Sequence, residues 1–241
     1  MAKSISKIVK ERVESLPVGS VITFSDFNDL ENTQAVALSL SRLKGKGLLN
    51  RLEKGKYYIP KKTKFGVLGP SDSSILKGLL NNDGSVEAYV SGVAAYNKLG
   101  LTTQVPNVVT IVGNMCNRKA QIGKLKLKYI KAKAPINSST IQLLQILDAI
   151  NDVKNIPDTT INKSIKRIKE IILDLTNNQK KKMISLSRYY RPRVQAIVGE
   201  ILEEGGVKEV QVLKDELNPL TRFKLNISKK ILPLQENWNL A

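Results

Sequence analysis

The sequence contains no histidine and a single cysteine, and each absence excludes a class of chemistry. Without histidine, the chain has no Ser-His-Asp or Cys-His catalytic group, no histidine-ligated zinc and no imidazole general base. Cys116 has no second cysteine with which to form an internal disulfide or a CxxC site. We therefore interpret it as a small, partly buried thiol of a cytosolic protein, and we predict neither a metal site nor a cofactor.

Long apolar runs and enzyme signatures are also missing. No stretch approaches the about 20 apolar residues that a membrane helix needs, and the N-terminal MAKSISKIVKERVESL lacks the apolar core of a signal peptide. The chain has no GxxxxGK(S/T) loop, no GxGxxG after a strand and no GxSxG elbow. We therefore expect a cytoplasmic protein that is not an enzyme and does not bind a membrane.

Positive charge is what the sequence has in excess. The 241 residues include 39 Lys and Arg against 21 Asp and Glu, which is a formal net charge of +18. The excess is spread along the chain, at +7 for residues 1–71, +6 for residues 72–134 and +5 for residues 135–241. Because such a charge attracts polyanions and repels basic partners, nucleic acid is the first class of partner to consider.

The N-terminal part of the chain predicts a winged helix-turn-helix. Apolar residues at helical spacing indicate a first helix over residues 5–16, which a short strand at 21–24 and a brief helix at 25–30 follow. A third helix is expected from residue 32 or 33 to about 44, closed by glycine, and residues 48–59 predict a two-stranded hairpin. The order helix, strand, helix, helix, hairpin is typical of a winged helix.

The third helix is predicted to read DNA. Val36, Ala37, Leu40 and Leu43 share the face that should pack on the first two helices. The opposite face is thin enough to enter a major groove, where arginine and glutamine make paired hydrogen bonds to guanine and adenine, while flanking basic residues suit phosphates. The predicted DNA-binding residues are Gln34, Ala35, Leu38, Ser41, Arg42, Lys44, Lys46, Arg51, Lys54 and Lys56. The alternative is a small α+β module whose exposed polar residues bind protein.

The rest of the chain predicts a mixed α/β domain that ends in a helical part. Helices are expected at 73–80 and 91–99, a strand at 108–112 and a hairpin at 119–131, and Pro192 is well placed at the first position of a later helix. The predicted fold class is α+β. We expect a winged-helix domain at 1–66 and a second domain at 67–241, with a possible sub-boundary near residue 135 where turn residues interrupt the pattern.

Two further groups of basic residues can extend an anion-binding surface. Lysines alternate with apolar residues in the second strand of the 119–131 hairpin, which is typical of a solvated face or of edge protection, with a nucleic-acid or acidic-protein surface as the alternative. The stretch QKKKMISLSRYYRPR suits phosphate binding with base stacking, or a plain helix junction whose long side chains reach water. This second basic patch comprises Lys124, Lys126, Lys128, Lys180, Lys181, Lys182, Arg188, Arg191 and Arg193.

Two pairs of carboxylates lie at helical spacing. Asp148 and Asp152 are four residues apart on a predicted helix, as are Glu200 and Glu204, so each pair can share a face. Pairs of this kind are common on solvated helices, and we interpret both pairs as surface residues rather than as catalytic or metal-binding groups.

The chain contains the three stretches RLKGKGLLNRLEKGKYYIP, FGVLGPS and YVSGVAAYNKLGLTTQVPNVVTIV, and the C-terminal stretch LNPLTRFKL. The three stretches resemble the AbiEi-type antitoxins and their transcriptional-regulator relatives, and the C-terminal stretch is similar to the tail of the same group. The first stretch is generic to winged helices. The third is more specific, through Ser91-Gly92, Tyr96, Leu99-Gly100-Leu101 and Gln104-Val105-Pro106.

The resemblance implies an antitoxin of a type IV toxin–antitoxin system. Its winged helix would repress its own operon by binding inverted repeats in double-stranded DNA, and its C-terminal domain would counteract a nucleotidyltransferase-like toxin without a stable complex. The family is associated with abortive infection of phage-infected bacteria. The alternatives are an RNA- or protein-binding accessory factor, a stand-alone winged-helix regulator, and a nucleic-acid enzyme that uses lysine or tyrosine.

Overall fold

The computed structural model of the chain describes residues 4–64, 66–82 and 85–241. Its contacts divide the chain into two compact units, one of Met1–Ala88 with Ala120–Lys126 and the other of Tyr89–Lys119 with Leu127–Ala241. Helices and several small sheets occur together, so the protein has the α+β composition that the sequence predicted. Phe65, which opens the FGVLGPS stretch, lies outside the described residues.

Apart from Ala88 and Ala120–Lys126, which belong to later strands and their hairpin, the first unit contains three helices and seven short strands among its described residues. The helices are α1 (Ile5–Ser15), α2 (Thr33–Gly45) and α3 (Asp72–Leu80). The strands are β1 (Val21–Thr23), β2 (Asn50–Glu53), β3 (Lys56–Tyr58), β4 (Lys61–Thr63), β5 (Gly66–Leu68), β6 (Asn81–Asn82) and β7 (Ser85–Val86). The three-stranded sheet has the order β1-β3-β2, and β3 is antiparallel to both neighbours.

The brief helix expected at 25–30 is instead a 3₁₀ turn, Phe24–Phe27. Thr23 and Asp26 cap it reciprocally, and Asn32 already caps α2 by accepting a 3.0 Å hydrogen bond from the Ala35 N–H, so too few residues remain for an α-helix. Arg12 of α1 holds this turn in place. Its guanidinium makes two hydrogen bonds of 2.6 and 2.7 Å to the Asp29 carboxylate and a third, of 2.7 Å, to the Asp26 carbonyl.

The third helix of the first unit explains why this unit extends beyond the expected boundary at residue 66. Gly78 of α3 lies so close to Val21 of β1 that a Cβ at this glycine would be 2.4 Å from Val21 Cγ1. Lys56 of β3 donates a 2.8 Å hydrogen bond to the Gly78 carbonyl. The segment after the hairpin is therefore packed onto the first sheet, and the chain first passes from this unit to the other at Ala88–Tyr89.

The second unit contains six helices and most of a four-stranded sheet among its described residues, while Ala88 and Ala120–Lys126 of that sheet's strands and hairpin belong to the first unit. Its strands are β8 (Ala88–Ser91), β9 (Val109–Gly113), β10 (Arg118–Ile122) and β11 (Leu125–Lys131). Its helices are α4 (Val93–Lys98), α5 (Ile141–Asn151), α6 (Ile161–Leu173), α7 (Asn177–Ser187), α8 (Pro192–Glu204) and α9 (Gln211–Glu216). The strand order is β10-β11-β9-β8, and β9 is parallel to β11.

The helix predicted over residues 91–99 begins two residues later than expected. Ser91 is the last residue of β8, and Gly92 adopts the left-handed conformation at φ +66, which separates the strand from α4. Its backbone approaches β9 so closely that a Cβ there would lie 2.9 Å from Thr110 Oγ1.

The helices of the second unit enclose the larger apolar core, which contains the fully buried Trp238. Pro192 occupies the first turn of α8, as predicted. Gly199 of α8 makes room for the indole of Trp238, because a Cβ at residue 199 would lie 2.1 Å from Trp238 Cζ3. Among the helices of the described residues, none is long and apolar enough to cross a membrane.

The thiol of Cys116 is exposed, and the prediction of partial burial was wrong. The residue lies between β9 and β10, in a short connection that contributes no side chain to the core of the unit.

Candidate functional site

Helix α2 has one buried and one exposed face, as the sequence predicted. Val36, Leu40 and Leu43 are buried against α1, the 3₁₀ turn and the sheet of the first unit. Of the predicted DNA-reading residues on the opposite face, Gln34, Ser41 and Arg42 are exposed and Ala35 is half-buried. Leu38 is 53% exposed, which is high for a leucine in a helix that otherwise packs well.

The cations around this face have few acidic neighbours in the sequence. Residues 32–60 contain six Lys or Arg and one Glu, whereas residues 4–31 contain three Lys or Arg and five Asp or Glu. Within the part of the chain that the structure describes, no carboxylate forms an ion pair with Arg42, Lys44, Lys46 or Lys54. The Arg12 guanidinium, by contrast, is taken up by Asp29, and its hydrogen bonds keep the pKa of that carboxyl below its usual value.

One predicted DNA-binding residue has a structural role. The Lys56 ammonium is half-buried and donates to the backbone carbonyls of Gly78 and Leu79, at the C-terminal end of α3, at 2.8 and 3.4 Å. Burial lowers the pKa of this lysine below its usual value. Because its N–H donors face a helix C-terminus, where a cation is stabilised, Lys56 contributes to the fold of the unit. It is therefore not part of the free basic surface, which consists of Arg42, Lys44, Lys46 and Lys54. Arg51 and Lys54 remain exposed on the hairpin.

The predicted second basic patch is divided among separate places. Lys181 pairs with Glu209, and Arg188 pairs with Glu216. Lys182 donates a hydrogen bond to Ser139 Oγ, in the loop before α5, and Arg193 donates one to the carbonyl of Asn151, at the end of α5. These four basic residues connect helices to one another or to the loops beside them. Their contacts favour the interpretation of this stretch as a helix junction. Lys124, Lys126 and Lys128 are exposed on the hairpin, opposite the buried Leu125, Leu127 and Tyr129.

A buried carboxylate that the sequence assigned to the surface lies at the centre of the second unit. Asp148 of α5 is only 7% exposed. Its Oδ2 accepts hydrogen bonds from the Tyr89 hydroxyl at 2.9 Å and the Ser91 hydroxyl at 2.7 Å, and its Oδ1 accepts one from the Tyr190 hydroxyl at 3.0 Å. Lys133 Nζ lies 3.6 Å from Oδ1 and 4.6 Å from the centre of the Tyr190 ring.

The neighbouring Asp152 extends this network. Its Oδ2 accepts a 2.8 Å hydrogen bond from the Tyr96 hydroxyl, and its Oδ1 accepts one of 3.1 Å from the Asn151 amide. Burial, and then the negative charge of the two carboxylates, raise the pKa of Tyr89, Tyr96 and Tyr190 far above the usual value. The phenols therefore act as fixed hydrogen-bond donors rather than as general bases.

The burial of Asp148 has a signal in the sequence. The residue lies four positions after Leu144, on the same helical stripe as the core residues, and the rest of α5 is apolar almost all round. A carboxylate on such a stripe must find donors or be neutralised. The sequence does not say which residues donate, because Tyr89, Ser91 and Tyr190 come from three other parts of the chain.

Residues 7–183 match the model of the DUF6088 family, which is described as a family of unknown function. The chain belongs to the DUF6088 family. The match covers α1 from Lys7 onward, the hairpin, the four-stranded sheet and the Asp148 network except Tyr190. The free basic surface of α2 and the Asp148 network are therefore features of a DUF6088 protein.

No curated protein matches the sequence of this DUF6088 chain. Among solved structures, the chain matches the crystal structure of the RV2827C protein from Mycobacterium tuberculosis with a TM-score of 0.48 and 15% sequence identity. That similarity covers 98% of this chain and 89% of the other.

Proposed function

We propose that the first unit is a winged helix-turn-helix that binds double-stranded DNA, with α2 in the major groove. The observation that carries the proposal is the exposed face of α2, where Arg42, Gln34 and Leu38 stand among cations without acidic partners. A face of this kind costs free energy through mutual repulsion of its charges, and a polyanion relieves that repulsion. The order of helices and the antiparallel hairpin in this unit support the same assignment.

The residues of α2 divide by the kind of contact that they can make. The guanidinium of Arg42 and the amide of Gln34 suit the edges of guanine and adenine, and the exposed Leu38 suits a thymine methyl group. Lys44, Lys46, Arg51 and Lys54, at the end of α2 and on the hairpin, suit the phosphates. Lys56 is left out of this set, because its ammonium is already bound to the end of α3.

The test is binding of the full chain to fluorescently labelled DNA from upstream of its own gene, with scrambled DNA of the same composition as the competitor. We expect the upstream DNA to be preferred by about a hundredfold or more, and the preference to persist as salt is raised. Equal and steeply salt-dependent binding to both DNAs would mean that only net charge is recognised. RNA or a protein would then be the better candidate partner.

We propose, second, that the protein is an autorepressing antitoxin of the AbiEi type. The support is the resemblance of the RLKGKGLLNRLEKGKYYIP and YVSGVAAYNKLGLTTQVPNVVTIV stretches to those regulators. The protein would bind inverted repeats in its own promoter and act without enzymatic activity of its own. The test is growth of cells that express a neighbouring nucleotidyltransferase-like gene with and without this chain. Absence of rescue, with specific DNA binding retained, leaves a stand-alone regulator.

A further inference from the structure

A cavity of about 290 Å³ lies in the second unit, beside the Asp148 network. Its floor is the last turn of α5, with Asp148, Asn151 and Asp152, and Ser91 and Thr110 form part of its wall. The carboxyl ends of the parallel strands β9 and β11 border it. Gly92 also lines the cavity and approaches Thr110 so closely that a Cβ at residue 92 would lie 2.9 Å from Thr110 Oγ1.

Three lysines line this cavity, at positions 128, 131 and 133. Lys133 is close to Asp148, at 3.6 Å. Over the described ranges of the chain, Lys128 and Lys131 have no ion pair with a carboxylate. Three lysines exceed the two aspartates of the floor by one charge, so the cavity favours an anion.

Asn151, which lines the cavity, also carries an acceptor that is not used. Asn151 Oδ1 is buried and accepts no hydrogen bond from the described residues, while the amide nitrogen of the same side chain donates to Asp152. The oxygens of Asp148 and Asp152 already accept from Tyr89, Tyr96, Tyr190 and Ser91. Because an unpaired buried oxygen costs free energy, a ligand that carries an O–H or N–H group would be stabilised at Asn151.

We infer that this cavity binds a small phosphate monoester that also carries hydroxyl or amino groups. The phosphate would be bound by Lys128 and Lys131 at the rim, and a hydroxyl or amino group would donate to Asn151 Oδ1 on the floor. The volume is at the lower end of the range for small-molecule sites, which suits a sugar phosphate or a single nucleotide. All lining residues of this cavity belong to the second unit, so the inference does not rest on the DNA binding proposed for the first unit.

The test is calorimetric titration of the full chain with ribose 5-phosphate, with the four ribonucleoside 5′-monophosphates and with inorganic phosphate. Ribose and uridine serve as unphosphorylated controls. We expect at least one monoester to bind with a Kd below about 1 mM, which is a modest affinity for a site of this size. Inorganic phosphate is expected to bind at least about tenfold more weakly, and ribose and uridine not to bind, because each lacks one of the two recognised groups.

The variants Lys128→Gln and Lys131→Gln test the rim. Each is expected to weaken the monoester by about tenfold, since each removes a charge-assisted hydrogen bond. Lys126→Gln is the matched control, because Lys126 is exposed on the same face of β11, two residues from Lys128, and does not line the cavity. It should change the affinity by less than about twofold.

Asn151→Ala tests the floor, after thermal unfolding has shown that the variant is folded. It is expected to weaken the monoester while leaving inorganic phosphate unchanged. The inference is overturned if no monoester binds at a monoester concentration of about 10 mM. Equal weakening by Lys126→Gln also overturns it, since the charge of the strand would then be recognised, and so does inorganic phosphate binding as tightly as the esters.

Discussion

The hydroxyl of Tyr190 donates a 3.0 Å hydrogen bond to Oδ1 of Asp148, from a residue 42 positions further along the chain. This bond joins the segment that follows α7 to the last turn of α5. Together with the bonds from Tyr89 and Ser91, it allows a carboxylate to be buried among apolar helices. A buried carboxylate needs such donors. If the carboxylate is removed, each of the three hydroxyl groups loses its hydrogen-bond acceptor.

Replacement of this acceptor should destabilise the second unit. Asp148→Asn keeps the shape of the side chain but replaces one carboxylate oxygen by an amide N–H₂, which faces hydroxyls that donate to the carboxylate in the parent protein. We therefore expect the free energy of unfolding to fall by about 3 kcal/mol. Tyr190→Phe removes one donor and should cost about 1 kcal/mol. Urea denaturation followed by circular dichroism measures both. Asp174→Asn, at an exposed aspartate on the C-terminal end of α6, is the control and should have little effect. Equal effects of the two Asp→Asn variants would contradict the role given to Asp148.

Packing at Gly199 predicts opposite effects for two Gly→Ala substitutions. An alanine Cβ at 199 would lie 2.1 Å from the Trp238 ring, so Gly199→Ala should cost about 1–3 kcal/mol although alanine favours helices. Gly45→Ala, at the end of α2, meets no atom within 4 Å and should stabilise by up to about 1 kcal/mol. Trp238 is the only tryptophan, so its fluorescence reports the displacement of the indole directly. An unchanged emission spectrum in Gly199→Ala would show that the ring does not depend on this glycine.

The buried Glu200 of α8 makes stability depend on pH. Burial raises the pKa of this carboxyl from 4.5 to about 7, although the Leu234 N–H donates to its Oε1. The folded chain therefore holds a proton that the unfolded chain has released, so the contribution of Glu200 is present below pH 4.5 and is lost as pH rises to about 7. The loss amounts to as much as about 1.4 kcal/mol per pH unit.

Glu200→Gln should remove this component. We expect the free energy of unfolding of the variant to exceed that of the parent at about pH 8. Between about pH 5 and about pH 8, the variant should lose less of this free energy than the parent does. Denaturation at each pH measures the difference. Glu170→Gln, at an exposed carboxylate that pairs with Arg167, is the control and should retain the pH dependence of the parent. A pH dependence in Glu200→Gln that equals that of the parent would place the titrating group elsewhere.

The DNA-binding proposal distinguishes a base contact from a phosphate contact. Arg42→Ala should weaken specific binding by about 1–3 kcal/mol and relax the preference at one base pair. Lys54→Ala should weaken binding to all sequences and reduce the salt slope by about one unit. Anisotropy on the two DNAs at several salt concentrations measures both. Lys163→Ala, which removes an exposed lysine of the second unit, is the charge-matched control. Intact sequence preference in Arg42→Ala would show that α2 does not read the bases.

Lys56 provides a contrast to Lys54 two residues away. Lys56→Ala removes the donor at the end of α3, so we expect it to destabilise the first unit by about 1–2 kcal/mol. The salt slope of DNA binding should stay the same at a temperature where the variant is folded. The thermal unfolding midpoint and the slope are measured on the same preparation. A shallower slope with unchanged stability would return this lysine to the DNA-binding surface.

The local elements of this chain could be predicted from the sequence because their patterns are local. The two faces of α2, the alternation of leucine and lysine in β11 and the start of α8 at Pro192 follow from helical and strand periodicity and from the fixed φ of proline. The exposed surface of α2 was predictable for the same reason.

Tertiary structure alone decided which polar groups are buried. The sequence places Asp148 and Asp152 four residues apart, but only the fold brings Tyr89, Ser91 and Tyr190 to the first of them. Likewise, only the position of α3 removes Lys56 from the free cations of the hairpin. Periodicity reports the face on which a residue lies, whereas the fate of a charge on that face depends on donors and acceptors that arrive from distant parts of the chain.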